Sequence, residues 1–195
     1  MQHGTIVAGF GGQGILFCGS VLAQAALLEG REVSWMPSYG PEMRGGTASC
    51  TVIVADRPIG SPMVDAADSA IVLNPPSLAK FEPLLCRGGL LVINSSLIEA
   101  EPTRTDIEAV LMPCTQIARD AGDDRLVSIA ALGGLIARRP IVGYDSVEAA
   151  IRELLANKKA HLIDADLAAF ERGHAQAFEG TPQAVMEGCF AEVWR

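Results

Sequence analysis

The chain has 195 residues, enough for one compact domain that buries roughly 70% of its unfolded surface. Hydrophobic residues make up 49% and charged ones 19%, a globular composition that excludes disorder over most of the length. The net charge is −8 and no basic cluster exceeds the pairs Arg138-Arg139 and Lys158-Lys159, which argues against a phosphate-backbone binder.

In chain order, residues 5–8 predict a short strand and residues 9–14, rich in glycine, a loop. Residues 15–29 form a broad apolar helical stripe with Gly30 placed to stop it. Residues 33–36 predict a second strand, and the two prolines and several glycines of residues 37–46 predict a loop. Residues 47–55, with the β-branched run Val52-Ile53-Val54, predict a third strand that turns at Asp56-Arg57-Pro58. A strand over 69–73 closes at Asn74-Pro75-Pro76, a short helix covers 77–85, Arg87-Gly88-Gly89 turns, and 90–94 is again strand. The last strand is expected over 109–112, with helices over 115–121 and 127–139. Asp145 and Glu148 read as a capping box for a helix through Leu155, and residues 162–178 as a final helix. Strands separated by helices imply an α/β fold: an open, mostly parallel sheet with helices on both faces and a helical C-terminal part. Ligands of such sheets bind at the carboxyl ends of the strands, so the two front loops are expected to face each other there.

Cys18, Cys50, Cys86, Cys114 and Cys189 are scattered and odd in number, which favours neither a disulfide framework nor a metal site and suits a reducing cytoplasm. No run approaches the ~20 apolar residues of a membrane span, and no signal peptide is recognisable. From residue 1 to residue 55 only Glu29, Arg31, Glu32, Glu42 and Arg44 are charged, which marks that segment as deeply buried or covered by another chain.

Gly9-Phe10-Gly11-Gly12-Gln13-Gly14 matches GxGxxG between a predicted strand and helix, the setting in which backbone amides and a helix N-terminus hold a pyrophosphate. The fingerprint is incomplete. Where an acidic ribose partner belongs, at the end of the second strand, stands Trp35-Met36-Pro37-Ser38. Ser38-Tyr39-Gly40-Pro41-Glu42-Met43-Arg44-Gly45-Gly46 concentrates an aromatic, an ion pair and a methionine in one loop, where Arg44 offers a bidentate donor for a carboxylate or phosphate. His3, His161 and His174 lack metal-ligand spacing, Cys18 reads as core, and Gly133-Gly134 reads as a close helix contact. No catalytic residue and no metal ligand is assigned.

These motifs, with Asn94-Ser95-Ser96, Ala131-Leu132-Gly133 and Ala169-Phe170-Glu171-Arg172-Gly173, resemble the gamma subunits of 2-oxoacid:ferredoxin oxidoreductases over about residues 5–173. The resemblance implies residues 1–180 as a single Rossmann-like gamma-subunit domain, with 181–195 an unmatched tail. It implies a cytoplasmic complex with alpha and beta subunits and a ferredoxin-like delta subunit. That complex converts a 2-oxoacid and coenzyme A to acyl-CoA and carbon dioxide while reducing ferredoxin. Thiamine diphosphate, magnesium and iron-sulfur clusters would reside in the sister subunits. The candidate contact residues, for a cofactor or for a partner, are Gly9, Gly11, Gly12, Gln13, Gly14, Ser38, Tyr39, Gly40, Pro41, Glu42, Met43, Arg44, Gly45 and Gly46. The rival readings are a free-standing NAD(P)-binding dehydrogenase and a regulatory module that senses an anion or nucleotide.

Overall fold

The computed structural model describes residues 1–39, 46–156 and 160–179. The described strands are β1 (Gln2–Phe10), β2 (Glu32–Tyr39), β3 (Thr47–Ala55), β4 (Ala67–Val72), β5 (Leu85–Asn94) and β6 (Glu108–Met112). The helices are α1 (Ile15–Leu28), α2 (Pro75–Phe81), α3 (Cys114–Asp120), α4 (Val127–Arg138), α5 (Tyr144–Leu155) and α6 (Ile163–Glu179). The strands form one sheet in the order β2-β3-β1-β4-β5-β6. Pairings β1–β4, β4–β5 and β5–β6 are parallel, while β1–β3 and β2–β3 are antiparallel. The parallel expectation thus holds for the half of the sheet beyond β1, and an antiparallel ribbon occupies the other edge.

Period-2 alternation divides the sheet between two cores. Val7, Val52, Ile71, Leu90 and Val92 face α1, α3, α4, α5 and α6, whereas Ile6, Ala8, Ala70, Leu91 and Ile93 face α2 and residues around Ile98 and Ile107. Helix α1 buries Cys18, Val21, Leu22 and Ala25. A Cβ on its Gly19 would stand 2.5 Å from Cys50 Sγ and 2.7 Å from Trp35 Nε1, so this glycine lets the helix lie close on β2 and β3. Gly30, at φ +73°, ends the helix as expected: its N–H donates to the Leu27 carbonyl, and that of Arg31 to the Ala26 carbonyl. At the crossing of α4 and α6, Cβ atoms on Gly133 or Gly173 would collide with the backbone of the facing helix, at Phe170 and Ala130 respectively. Gly133 is therefore the close contact its sequence suggested.

Four local expectations need correction. Strand β2 does not end at residue 36: Pro37, Ser38 and Tyr39 remain paired with Cys50, Ser49 and Ala48, because the ribbon partner prolongs the ladder. Asn74-Pro75-Pro76 is a helix start. Asn74 Oδ1 accepts from Ser77 N–H at 2.8 Å, and both prolines occupy first-turn positions that need no donor. Arg87-Gly88-Gly89 lies inside β5 as an irregularity, with Leu85 opposite Ala67 and Leu90 opposite Ser69. The capping box at Asp145 and Glu148 is absent. Helix α5 starts at Tyr144 behind Gly143, whose N–H donates to Glu29 Oε1 at 2.6 Å, so a residue 114 positions away supplies the acceptor.

Candidate functional site

Strands β1 and β2 run in the same direction with β3 between them, so their carboxyl ends share one edge of the sheet. The loop after β1 is tied there to the start of β3 by a hydrogen bond from Gly11 N–H to the Gly46 carbonyl at 3.0 Å. Gln13 closes the loop on itself. Its Oε1 accepts from Phe10 N–H at 2.6 Å, and its own N–H donates to the Phe10 carbonyl at 3.2 Å.

The three glycines of the motif do different work. Gly9 sits in the strand, where a Cβ would meet Gln13 Oε1 at 2.5 Å and Ile15 Cδ1 at 2.8 Å. Gly11 carries the tie to Gly46. Gly14, the residue before α1, has φ +77°, and a Cβ there would lie 2.7 Å from Ser128 Oγ and 2.8 Å from the Arg125 carbonyl. The segment leading into α4 therefore rests directly on it. Gly12 (φ +102°) faces open space, free for close approach.

Beside this loop lies a cavity of about 450 Å³ lined by Phe10, Gly11, Gly12, Gly14, Ile15, Leu16, Phe17, Gly46, Thr47, Ala48, Asp123, Arg125, Leu126, Leu155, Leu162, Ala165 and Asp166. Its walls are mainly apolar. Its polar features come from the starts of α1, α4 and α6, where first-turn N–H groups lack intrahelical partners and the helix dipole is positive. Neither α1 nor α4 has an acidic residue in its first turn, whereas α6 has Asp164 and Asp166. Arg125 Nε donates to both Asp123 oxygens, at 2.9 and 3.0 Å, and this pairing holds the Asp123 carboxyl below the usual range. Such a cavity can bind an amphipathic ligand or a partner side chain. Its described lining contains no imidazole or thiol for acid-base or nucleophilic work.

Of the residues expected at the site, Gly9, Gly11, Gly12, Gln13, Gly14, Ser38, Tyr39 and Gly46 lie at or beside this edge. Gly9 and Gln13 act within the loop itself, and Ser38 is exposed near the end of β2. Gly40, Pro41, Glu42, Met43, Arg44 and Gly45 lie outside the described residues. The sequence reading missed the opposite wall, built by Asp123, Arg125, Leu155, Leu162 and Asp166. The acidic-basic run Asp123-Asp124-Arg125 just before an apolar helix was its one local signal.

The dinucleotide comparison also fails for a topological reason. Because β3 separates β2 from β1, the end of β2 stands two strand spacings, ~9–10 Å, from the glycine loop, not one. Three of the cysteines, Cys18, Cys50 and Cys114, are buried. Burial pushes Cys50 and Cys114 up to about 12 and Cys18 well above its ordinary value. Among the described residues no group of three or more His, Cys, Asp or Glu side chains could hold a metal ion, and no helix is long and apolar enough to cross a membrane.

Residues 5–176 match the family described as Pyruvate ferredoxin/flavodoxin oxidoreductase. The chain belongs to that family. It is 41% identical over 175 residues to ketoisovalerate oxidoreductase subunit VorA of Methanothermobacter thermautotrophicus, covering 89% of this chain and 36% of VorA. The chain thus spans about a third of that relative's length. It is 31% identical over 182 residues to 2-oxoglutarate synthase subunit KorC of Methanocaldococcus jannaschii, covering 92% of this chain and 96% of KorC. In three dimensions it matches the gamma subunit of a keto/oxoacid ferredoxin oxidoreductase from Geobacter sulfurreducens with a TM-score of 0.82 and 26% identity, over 93% of this chain and 99% of that one. A free-standing dehydrogenase and a sensing module are not favoured by this membership.

Proposed function

We propose that this chain is the gamma subunit of a multisubunit 2-oxoacid:ferredoxin oxidoreductase, offering a binding edge and no redox centre of its own. The observation that carries this reading is the near end-to-end correspondence with KorC, 92% of one chain against 96% of the other. The cysteines are scattered along the sequence without cluster spacing, and Cys18, Cys50 and Cys114 are buried, so the iron-sulfur clusters are assigned to partner subunits, and thiamine diphosphate and magnesium likewise to the alpha, beta and ferredoxin-like delta partners. Coenzyme A is the substrate of the whole complex.

The glycine-loop edge is read as a contact surface beside the shared active site. Tyr39, Pro41 and Met43 pack on a partner, and Glu42 orients Arg44, which pairs across the interface or with a coenzyme A phosphate. Partner contact is the stronger of the two roles, since interface cores favour arginine and aromatic residues.

The complex purified through this chain should reduce ferredoxin only when given both a 2-oxoacid and coenzyme A, while the chain alone is inactive. Turnover by the isolated chain, or no such activity in the complex, overturns the reading. Arg44→Ala should lower complex yield or raise the KM for coenzyme A. Unchanged yield and kinetics would remove Arg44 from this role.

A further inference from the structure

We propose that the outer face of the β2–β3 ribbon seats a separate polypeptide, the counterpart of the part of VorA that this chain does not cover. The proposal rests on the gamma-subunit reading and adds the surface on which assembly occurs. By register, Glu32, Ser34, Met36 and Ser38 of β2 share this face with Ser49, Thr51 and the buried Ile53 of β3, opposite the face covered by α1. Beyond β1 the same side of the sheet is closed by α2 and residues near Ile98 and Ile107, and that apolar cluster includes no residue of β2 or β3.

Past Glu32, which is exposed at the start of β2 on this same face, the ribbon carries no charge. Residues 33–39 and 47–55 contain no Asp, Glu, Lys or Arg, and Met36 is 39% exposed. Edge ribbons that face water are commonly protected by charged side chains, whereas depletion of charge marks the cores of interfaces. Elsewhere exposed leucines adjoin exposed charges, as Leu28 does Glu29 and Leu154 does Glu153. The ribbon also runs directly into the glycine-loop edge of the sheet.

The occupant follows from chain lengths. In VorA the corresponding region is 36% of a longer chain, whereas in KorC it is nearly the whole. A tether supplies an effective concentration on the order of millimolar, and a domain without the tether must replace that gain with contact surface of its own. Pro37 removes a donor from edge strand β2, which disfavours strand addition by a second copy.

The test uses the complex isolated from the source cells through a tag on this chain. Met36→Arg and Thr51→Arg should each reduce, by about tenfold or more, co-elution of a polypeptide whose peptides match the remainder of VorA. Met36→Leu and the distant Leu154→Arg should leave it unchanged. Undiminished co-elution with both arginine variants overturns the surface while leaving the gamma-subunit reading intact. If the wild-type chain brings down no such polypeptide, that reading fails, and the proposal with it. Hydroxyl-radical footprinting of the unmodified complex avoids any dependence on folding: Met36 should resist oxidation while Met63, 69% exposed, reacts, and a Met36 as reactive in the complex as Met63 overturns the proposal.

Discussion

Gly14 joins two requirements that a sequence shows as a single letter: a left-handed backbone, and no room for a Cβ beside the Arg125 carbonyl and Ser128 Oγ. Gly14→Ala should cost about 2–4 kcal/mol in urea unfolding. Gly12 also has positive φ but faces open space, so Gly12→Ala should cost about 1–2 kcal/mol, from backbone strain alone. Gln13 acts through its side-chain oxygen on Phe10 N–H. Gln13→Ala should lose about 1 kcal/mol, and Gln13→Glu, which keeps the acceptor, should recover most of it. A pure partner contact would show neither effect in the isolated chain. His3 illustrates the opposite end of the sheet. Its Nε2 lies 2.9 Å from Ser69 Oγ, which lies 2.9 Å from Thr5 Oγ1, and burial lowers the imidazole to about 4. Asp68 opposes that shift, while Arg139 and Arg31 add to it. The unfolded chain therefore binds the proton more readily, so stability is complete above the usual histidine value of about 6.5 and falls as pH drops toward about 4. Urea midpoints should decline between about pH 7 and pH 5, and His3→Gln should flatten that decline.

At the scale of elements, the crossing of α4 and α6 depends on backbone meeting backbone. Gly173→Ala places a methyl group into Ala130, and the two helices must separate, at a cost of about 3 kcal/mol or more in thermal or urea unfolding. Wherever local chemistry decides an element, the sequence was sufficient: the α1 stripe, its stop at Gly30 and the strand at 47–55 all stand as read. Misreadings arose where a distant partner decides. Pro37 belongs to a strand because Cys50 pairs with it, and Gly88 to a strand because β4 holds the chain on either side. Glu29 replaces a local cap on α5 from across the fold. No window along the chain contains those partners. Asn74 is a different case, since its capping signal is local but the same Asn-Pro-Pro also suits the end of a strand.

For the whole molecule, the edge that carries the glycine loop was legible because the strand–glycine–helix order fixes which end of β1 it occupies. The far wall of the cavity was not, since Asp123, Leu155 and Asp166 reach it only through the packing of three helices. The insertion of β3 between β1 and β2 was equally hidden, because neither hydropathy nor spacing distinguishes which neighbour a strand selects. That insertion bears on how the chain assembles as it leaves the ribosome. Strand β2 is made before β3 yet touches β1 only through it, so a nascent chain that stops at Tyr39 has two strands and no ladder between them. Protease resistance in stalled nascent chains should therefore appear abruptly once Ala55 has emerged, when one late strand zips together two that were waiting for it.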